Sequence, residues 1–565
     1  MKKFTMLSFV LASALMMTMM SCSSSDDLNG GGADANDKSY LAIRINNVGS
    51  VAGSRAADDY AVGTADENHI ESVRFYFFNS DGTPYILKND GQSTGKNWLE
   101  KSDDLNTENK QNPNVSMISN PLLVIEGNTG ASPAVMIAVI NPKTLDGDKL
   151  GDGAKTLDEV KCTSIFSQFY TTDNKNFVMS NSTFVANGVE KCASVVTGHV
   201  ATDAKKATDN PVDLYVERVV AKVQPTIDAT YATADGRKWE KINGQDAMKV
   251  GVYGNNDIYA VVDGWGVADE DGKAELVKQV DTKWNDEYLG ISVWTSPDYN
   301  RCFWTSSVAF AAGTGAEGNV PVNHSYNDFA NHKLTDCAYT LPNAPTSVNA
   351  DPYASTLTKM VLATHLVYKD GADYKNAEIC QYRGQQYLHV EDVKTAVANN
   401  FADYYIKKGD TRTKLQPSDI DFTTKATGIK DYQVVATLRT LAADETLQKK
   451  TGTTEEASSY TDVTNFQNLM NKETAQIRKD GKAYYFIPIR HLGTDPTKVG
   501  YYGIVRNHVY SINIQNMYGF GTPVYDPDKT IDPTIPSNDA TYLAARINVL
   551  SWRVVKYNAD LDKTK

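Results

Sequence analysis

The sequence predicts a mainly β fold, two tandem antiparallel β-sandwiches with small helical insertions, on three observations. Short apolar runs alternate in the β manner and close on turn residues over most of the length. The 565 residues exceed what one hydrophobic core usually supports, so two or more domains are expected. Asn210-Pro211 interrupts the chain just before a long strand-like run, which makes it the natural boundary between them.

The N-terminus reads as an export signal. Lys2 and Lys3 precede an apolar or small run from Met6 to Met20, an n-region and h-region over residues 1–21. That run is too short to count as a transmembrane span. It ends in Met19-Met20-Ser21-Cys22, and a small residue before a Cys is what a bacterial lipoprotein signal requires, although Met19 stands where Leu is commoner. Cys22 is the expected lipidation site, with residues 22–38 as a polar, Gly-rich tether. The plainer alternative is cleavage and release, with Cys22 incidental.

Tyr40-Leu41-Ala42-Ile43-Arg44-Ile45-Asn46 forms the first strand-like run, and it recurs near the other end. Tyr542-Leu543-Ala544-Ala545-Arg546-Ile547-Asn548 matches it at every position but one. Two segments this alike could occupy the same groove, or could be ordinary strands of separate sheets. Behind the first copy, Gly49 to Asp59 reads as an exposed loop of small residues that a protease could reach, with Arg55 at its centre.

Further along, Ser72–Phe78 closes on Asn79-Ser80-Asp81-Gly82, and Ala134–Ile140 closes on Asn141-Pro142. Leu157, Val160, Ile165, Phe166 and Phe169 suggest a brief helical insertion. Val212–Val223 reads as one long strand opening the second domain. Val390, Val393, Val397, Phe401 and Tyr405 fall at helical spacing, so an amphipathic helix is expected there. Strands follow at Ala483–Ile489 and Ile504–Ile514. The Pro/Asp stretch Pro523–Asp539 reads as a linker that lets the Tyr542 run swing clear.

Composition narrows the function. The formal net charge is −13 with no Lys/Arg cluster, so nucleic acid is not an expected partner. Cys162, Cys192, Cys302, Cys337 and Cys380 show no C-x-x-C or zinc-ligand spacing, so buried single thiols are expected for most, with one or two disulfides possible. Gly313–Gly318 fits G-x-G-x-x-G, but Asn319-Val320-Pro321 follows in place of a helix, which argues for a loop. His508 reads as structural, Asp526, Asp528 and Asp532 as solvated rather than calcium-binding, and no catalytic constellation or cofactor motif stands out. No enzyme activity and no cofactor or metal are expected.

The strand Glu217–Val223, the turn Thr340–Asn343, the run Gly503–Tyr510 with Gly519-Phe520-Gly521, and the ending Ile547–Trp552 together resemble the Bacteroidales-type fimbrillins, closest to minor (Mfa-type) shaft subunits. The resemblance runs from the lipoprotein signal to the C-terminus and is thin through the middle of the second domain. It implies transthyretin-like sandwiches, export as an outer-membrane lipoprotein precursor, and removal of the first strand (39–55) by an arginine-specific surface protease cutting Arg55–Ala56. The N-terminal sandwich would then span 56–211, the C-terminal one 212–522, and the linker with donor strands 523–565. The vacated groove, where Tyr40, Leu41, Ile43 and Ile45 had sat, would receive Tyr542, Leu543, Ala545, Ile547, Val549 and Trp552 of another copy, giving a head-to-tail filament. Accessory tip and anchor subunits, adhesion and biofilm formation are implied with it. A tip or anchor role, or a surface glycan-binding lipoprotein, are the alternatives.

Overall fold

The computed structural model describes residues 38–48, 63–102, 105, 115–119, 121–126, 132–145, 150–165, 169–171, 175–186, 189–280, 321–345, 351, 354–452, 458–491, 495–533, 542–550 and 554–555. Cys22, Arg55, Ala56, Cys302, Gly313–Gly318 and Trp552 lie outside them.

The chain is mainly β. In the first domain Val73–Phe78 and Val135–Ile140 pair antiparallel over six positions, and every residue of Val73–Phe78 is buried. Asn141 ends the second of these strands in the left-handed region (φ 53°), a conformation Asn tolerates better than most residues. Its amide then donates to the carbonyls of His69 and Phe177, both at 2.9 Å. The expected insertion is a single short helix, Leu157–Lys161, capped by Thr156 and Glu159 acting reciprocally; the chain returns to a strand at Ser164–Ile165.

The run Val212–Val223 is not the single strand expected of it. Val212–Arg218 and Ala221–Ile227 are two strands in two different sheets. Val212, Leu214, Val216, Val219 and Val220 belong to the first core, whereas Ala221 and Val223 open the second. An uninterrupted apolar run hides such a change, because each half alternates correctly for its own sheet.

The second domain packs a five-stranded sheet against a seven-stranded one. The first has the order Ala338–Thr340, Ala221–Ile227, Val509–Tyr518, Tyr542–Leu550, Val554–Val555. The second is centred on Asn256–Ala268, Lys359–Asp370 and Lys482–Pro488. A third core, absent from the two-domain expectation, is built from residues between Cys380 and Ile477. It holds the expected helix, which spans Val390–Asn400 and stops there; Tyr404 and Tyr405 begin the strand Tyr404–Lys408. Arg478 closes this insertion at its exit, 1% exposed, donating to the carbonyls of Ile379 (2.8 Å) and Gly521 (2.6 Å).

The Pro/Asp stretch is not a loose linker as far as residue 533. Val524 and Ile531 are buried, the Val524 N–H donates to Lys482 O (3.0 Å), and the Ile531 N–H donates to His324 O (2.9 Å). Two apolar side chains among the Pro and Asp residues suffice to pin it.

Candidate functional site

The first strand, Lys38–Val48, occupies an unusual place. Its first half pairs antiparallel with Leu122–Glu126, Leu41 standing opposite Leu123. Its second half pairs parallel with Val212–Arg218, Ile43 opposite Val212 and Ile45 opposite Leu214, and antiparallel with Val115–Ser119 on its other side. In the sheet order it is the connection between the Leu122–Glu126 group and the Val212–Arg218 group. Taking it out would divide that sheet in two.

Burial matches this position. Leu41, Ala42 and Ile43 are 0%, 7% and 0% exposed, so both faces of the strand are covered where it changes partners, and helix Ala204–Asp209 packs against it. The Ile43 N–H donates to Pro121 O at 3.0 Å. The next residue turns outward: Arg44 Nη1 lies 3.1 Å from Asp213 Oδ1, with both side chains nearly half exposed. For Tyr40 and Ile45 the structure gives the backbone pairing only.

The terminal strand, Tyr542–Leu550, lies on its own domain. It pairs antiparallel with Val509–Tyr518 along its length, Ile547 opposite Ile512 and Val549 opposite Tyr510, with one irregularity between Ile514 and Asn516. The expectation that it swings clear is therefore replaced by a docked strand. An alternating apolar segment at high effective concentration beside an open sheet edge satisfies that edge. Leu543 and Ala545 face Met517 and Ile514 in the same ladder. The two copies of the repeat are thus both seated, in different sheets, and the structure does not bring them together.

Between the domains lies a buried polar junction that sequence reasoning missed. Glu67, 2% exposed, accepts from Lys222 Nζ at 2.7 Å and from the Tyr339 hydroxyl at 2.6 Å. Burial pushes its pKa up, but the hydrogen bond and charge of Lys222, the Tyr339 hydrogen bond and the Arg218 charge outweigh that and hold it below the ordinary carboxylate value. Arg218 donates from Nε to the Glu67 carbonyl (2.9 Å), from Nη1 to Asn507 Oδ1 (3.3 Å) and from Nη2 to Asn68. Arg506 donates to the carbonyls of Leu276 (2.8 Å) and Glu275 (2.5 Å), and Lys278 pairs with Glu217 at 2.8 Å with both side chains 1% exposed. His508 is buried beside them, its Nδ1 2.8 Å from Arg506 O. Glu67 stands in the polar run Asp66-Glu67-Asn68, which carries no signal separating it from a surface loop.

Among the described cysteines, Cys162, Cys192, Cys337 and Cys380 are free thiols, and burial raises the Cys192 thiol to about 11.

Residues 477–558 match the family model described as "Major fimbrial subunit protein type IV, Fimbrillin, C-terminal". The C-terminal region of this chain is that of a fimbrillin. The matched stretch begins where the chain leaves the insertion and takes in both the Val509–Tyr518 strand and the terminal strand docked on it. The match to fimbrial subunit proteins is to that C-terminal region.

Solved structures with some likeness include a fimbrilin (fimA) from Porphyromonas gingivalis W83. It is 12% identical with a TM-score of 0.35, over 90% of this chain and 96% of that one. The tip fimbrial protein Mfa3 from Porphyromonas gingivalis is 10% identical, TM-score 0.30, over 90% and 99%. A fimbrial assembly protein from Parabacteroides distasonis ATCC 8503 is 12% identical, TM-score 0.27, over 62% and 87%. The family assignment rests on the C-terminal match and not on these. A search of the curated proteins finds no match.

Proposed function

We propose that this chain is a shaft subunit of a cell-surface fimbria, and that it polymerises when its first strand is exchanged for the terminal strand of a neighbouring copy. On this reading the chain is exported as a lipoprotein precursor with its lipid on Cys22. An arginine-specific protease cuts Arg55–Ala56, the first strand leaves, and Tyr542–Leu550 of the next subunit enters the opened groove.

The observation that carries the reading is the position of the first strand: one segment connects two parts of a sheet, is buried on both faces at Leu41–Ile43, and has a near-copy at the far end of the chain. A sandwich that loses such a strand exposes unpaired backbone and an apolar cleft, which is costly in water. A replacement from outside restores the ladder and buries alternate side chains, each contributing about 1.5–3 kcal/mol. Donor and acceptor surfaces differ, so the contact is head to tail and builds an open filament. Detaching the terminal strand from Val509–Tyr518 costs its pairing there, which the groove must repay. Tip and anchor subunits would end such a filament, and adhesion and biofilm formation would be its uses.

Two variants test the proposal. Arg55→Ala should leave a lipidated monomer, and filaments of normal length from it would refute the cleavage step. Deletion of 541–565 should give matured subunits unable to act as donors, and unaltered polymer would refute the role of the terminal strand.

A further inference from the structure

On the strand-exchange reading above, we infer a register: the incoming segment runs parallel to Val212–Arg218, with Arg546 facing Asp213 and Ala545 taking the place of Ile43. The first strand already displays this arrangement, since Arg44 opposes Asp213 in the ladder and pairs with it at 3.1 Å. Arg546 holds the equivalent position in the copy. A slip of one residue either way would set Arg546 against Val212 or Leu214, which are 2% and 0% exposed, and would turn every side chain of the strand to the other face. The slot is closed on both faces, so the residue beside Ile43 must be small. Ala42 meets that requirement in the first strand and Ala544 repeats it.

The single mismatch in the repeat then acquires a meaning. Ile43 is fully buried, and the smaller Ala545 in its place would leave the site underfilled. Two positions beyond the shared Ile, Val549 falls at the place of Asn47, opposite the fully buried Val216. The donor loses volume at one site and gains an apolar side chain at another on the same face. While the first strand remains covalently attached, it has both the better-filled site and the higher effective concentration, so the donor cannot displace it. Cleavage removes the tether, and the freed strand is lost by dilution.

The test uses filaments of matured chains that keep residues 56–565, dissociated by heating in graded detergent. Ala545→Ile should slow dissociation by about tenfold or more, corresponding to roughly 1.4 kcal/mol, and Ala544→Ile should speed it. Arg546→Asp leaves the Arg44–Asp213 pair of the precursor untouched and should weaken the filament about two- to fivefold. Adding Asp213→Lys to it should restore the filament, because each chain then supplies both halves of the reversed pair. Matched melting of the uncleaved Ala544→Ile, Ala545→Ile and Arg546→Asp precursors excludes misfolding as the cause, and Asp213→Lys, which breaks the Arg44–Asp213 pair of the precursor, is compared only after the first strand has been removed. If Ala544→Ile strengthens the filament and Ala545→Ile does not, the register is wrong by one residue. If all variants dissociate like wild type while the 541–565 deletion still abolishes polymer, the register fails and the strand-exchange reading stands. Polymer from the deletion would remove both.

Discussion

Ile43→Ala is the sharpest probe of the first strand, because it changes packing and little else. The Ile43 side chain is fully buried and its N–H bond to Pro121 O is a backbone contact that Ala keeps. Truncating a fully enclosed Ile costs about 2–5 kcal/mol, depending on how far the site can collapse. A site at the meeting of two sheet groups, closed on both faces, has little freedom to collapse, so we expect about 3 kcal/mol. Every tenfold in an equilibrium is about 1.4 kcal/mol, so local opening of the strand should rise roughly a hundredfold. Native-state hydrogen exchange of the uncleaved chain reads this from the amides of 41–47 and 212–216, without assuming that a multidomain chain unfolds in one step. Arg44→Ala is the control: its ion pair is nearly half exposed and worth at most about 1 kcal/mol, so protection should fall less than about tenfold. Ile43→Ala also makes residues 40–46 identical to 542–548. Equal protection losses in the two variants, or none in Ile43→Ala, would show that the first strand does not close this core.

Two further predictions concern the domain junction and the packing inside the second domain. Glu67→Gln deprives partly buried Lys222 and fully buried Arg218 of their shared anion and should loosen the domain junction by about 3 kcal/mol, seen as faster limited proteolysis between the domains. Because the folded pKa of Glu67 is depressed, its contribution is complete above the unfolded carboxylate value near 4.5 and is lost as pH falls through the lower folded value. Wild type should therefore show an acid-induced loosening that the Gln variant lacks; identical acid profiles would contradict the assignment. Gly264→Ala would place a Cβ 2.2 Å from the Phe329 carbonyl oxygen, so the Tyr326–Asn331 helix must shift. Differential scanning calorimetry should record a loss of about 3 kcal/mol in the second domain with the first unaffected, and an unchanged thermogram would refute the packing.

Much of the fold was legible in the sequence wherever a local signal coincided with a tertiary one. Val73–Phe78 and Val135–Ile140 end on turn residues that also end their ladders, so alternation and turn chemistry agreed. At Val219-Val220 they did not. The break there comes from a change of sheet, and nothing in an apolar pair marks it. Phe401 and Tyr405 continue the helical spacing past Asn400, yet Phe401 and Tyr404 fill the insertion's own core and the chain turns into a strand. The insertion itself was invisible, because its strands carry the same pattern as those of the domain it interrupts. Of the candidate site, the repeat could be read directly, whereas the bridging place of one copy and the docked state of the other depend on partners far away in the chain.

The most direct measurement is the structure of the matured filament at side-chain resolution. The account predicts that Tyr542–Leu550 of one subunit lies in the groove of the next, parallel to Val212–Arg218, with Arg546 at Asp213 and with Ala56 as the first residue of each subunit. A groove still filled by a subunit's own Lys38–Val48, with every terminal strand on its own Val509–Tyr518, would contradict it.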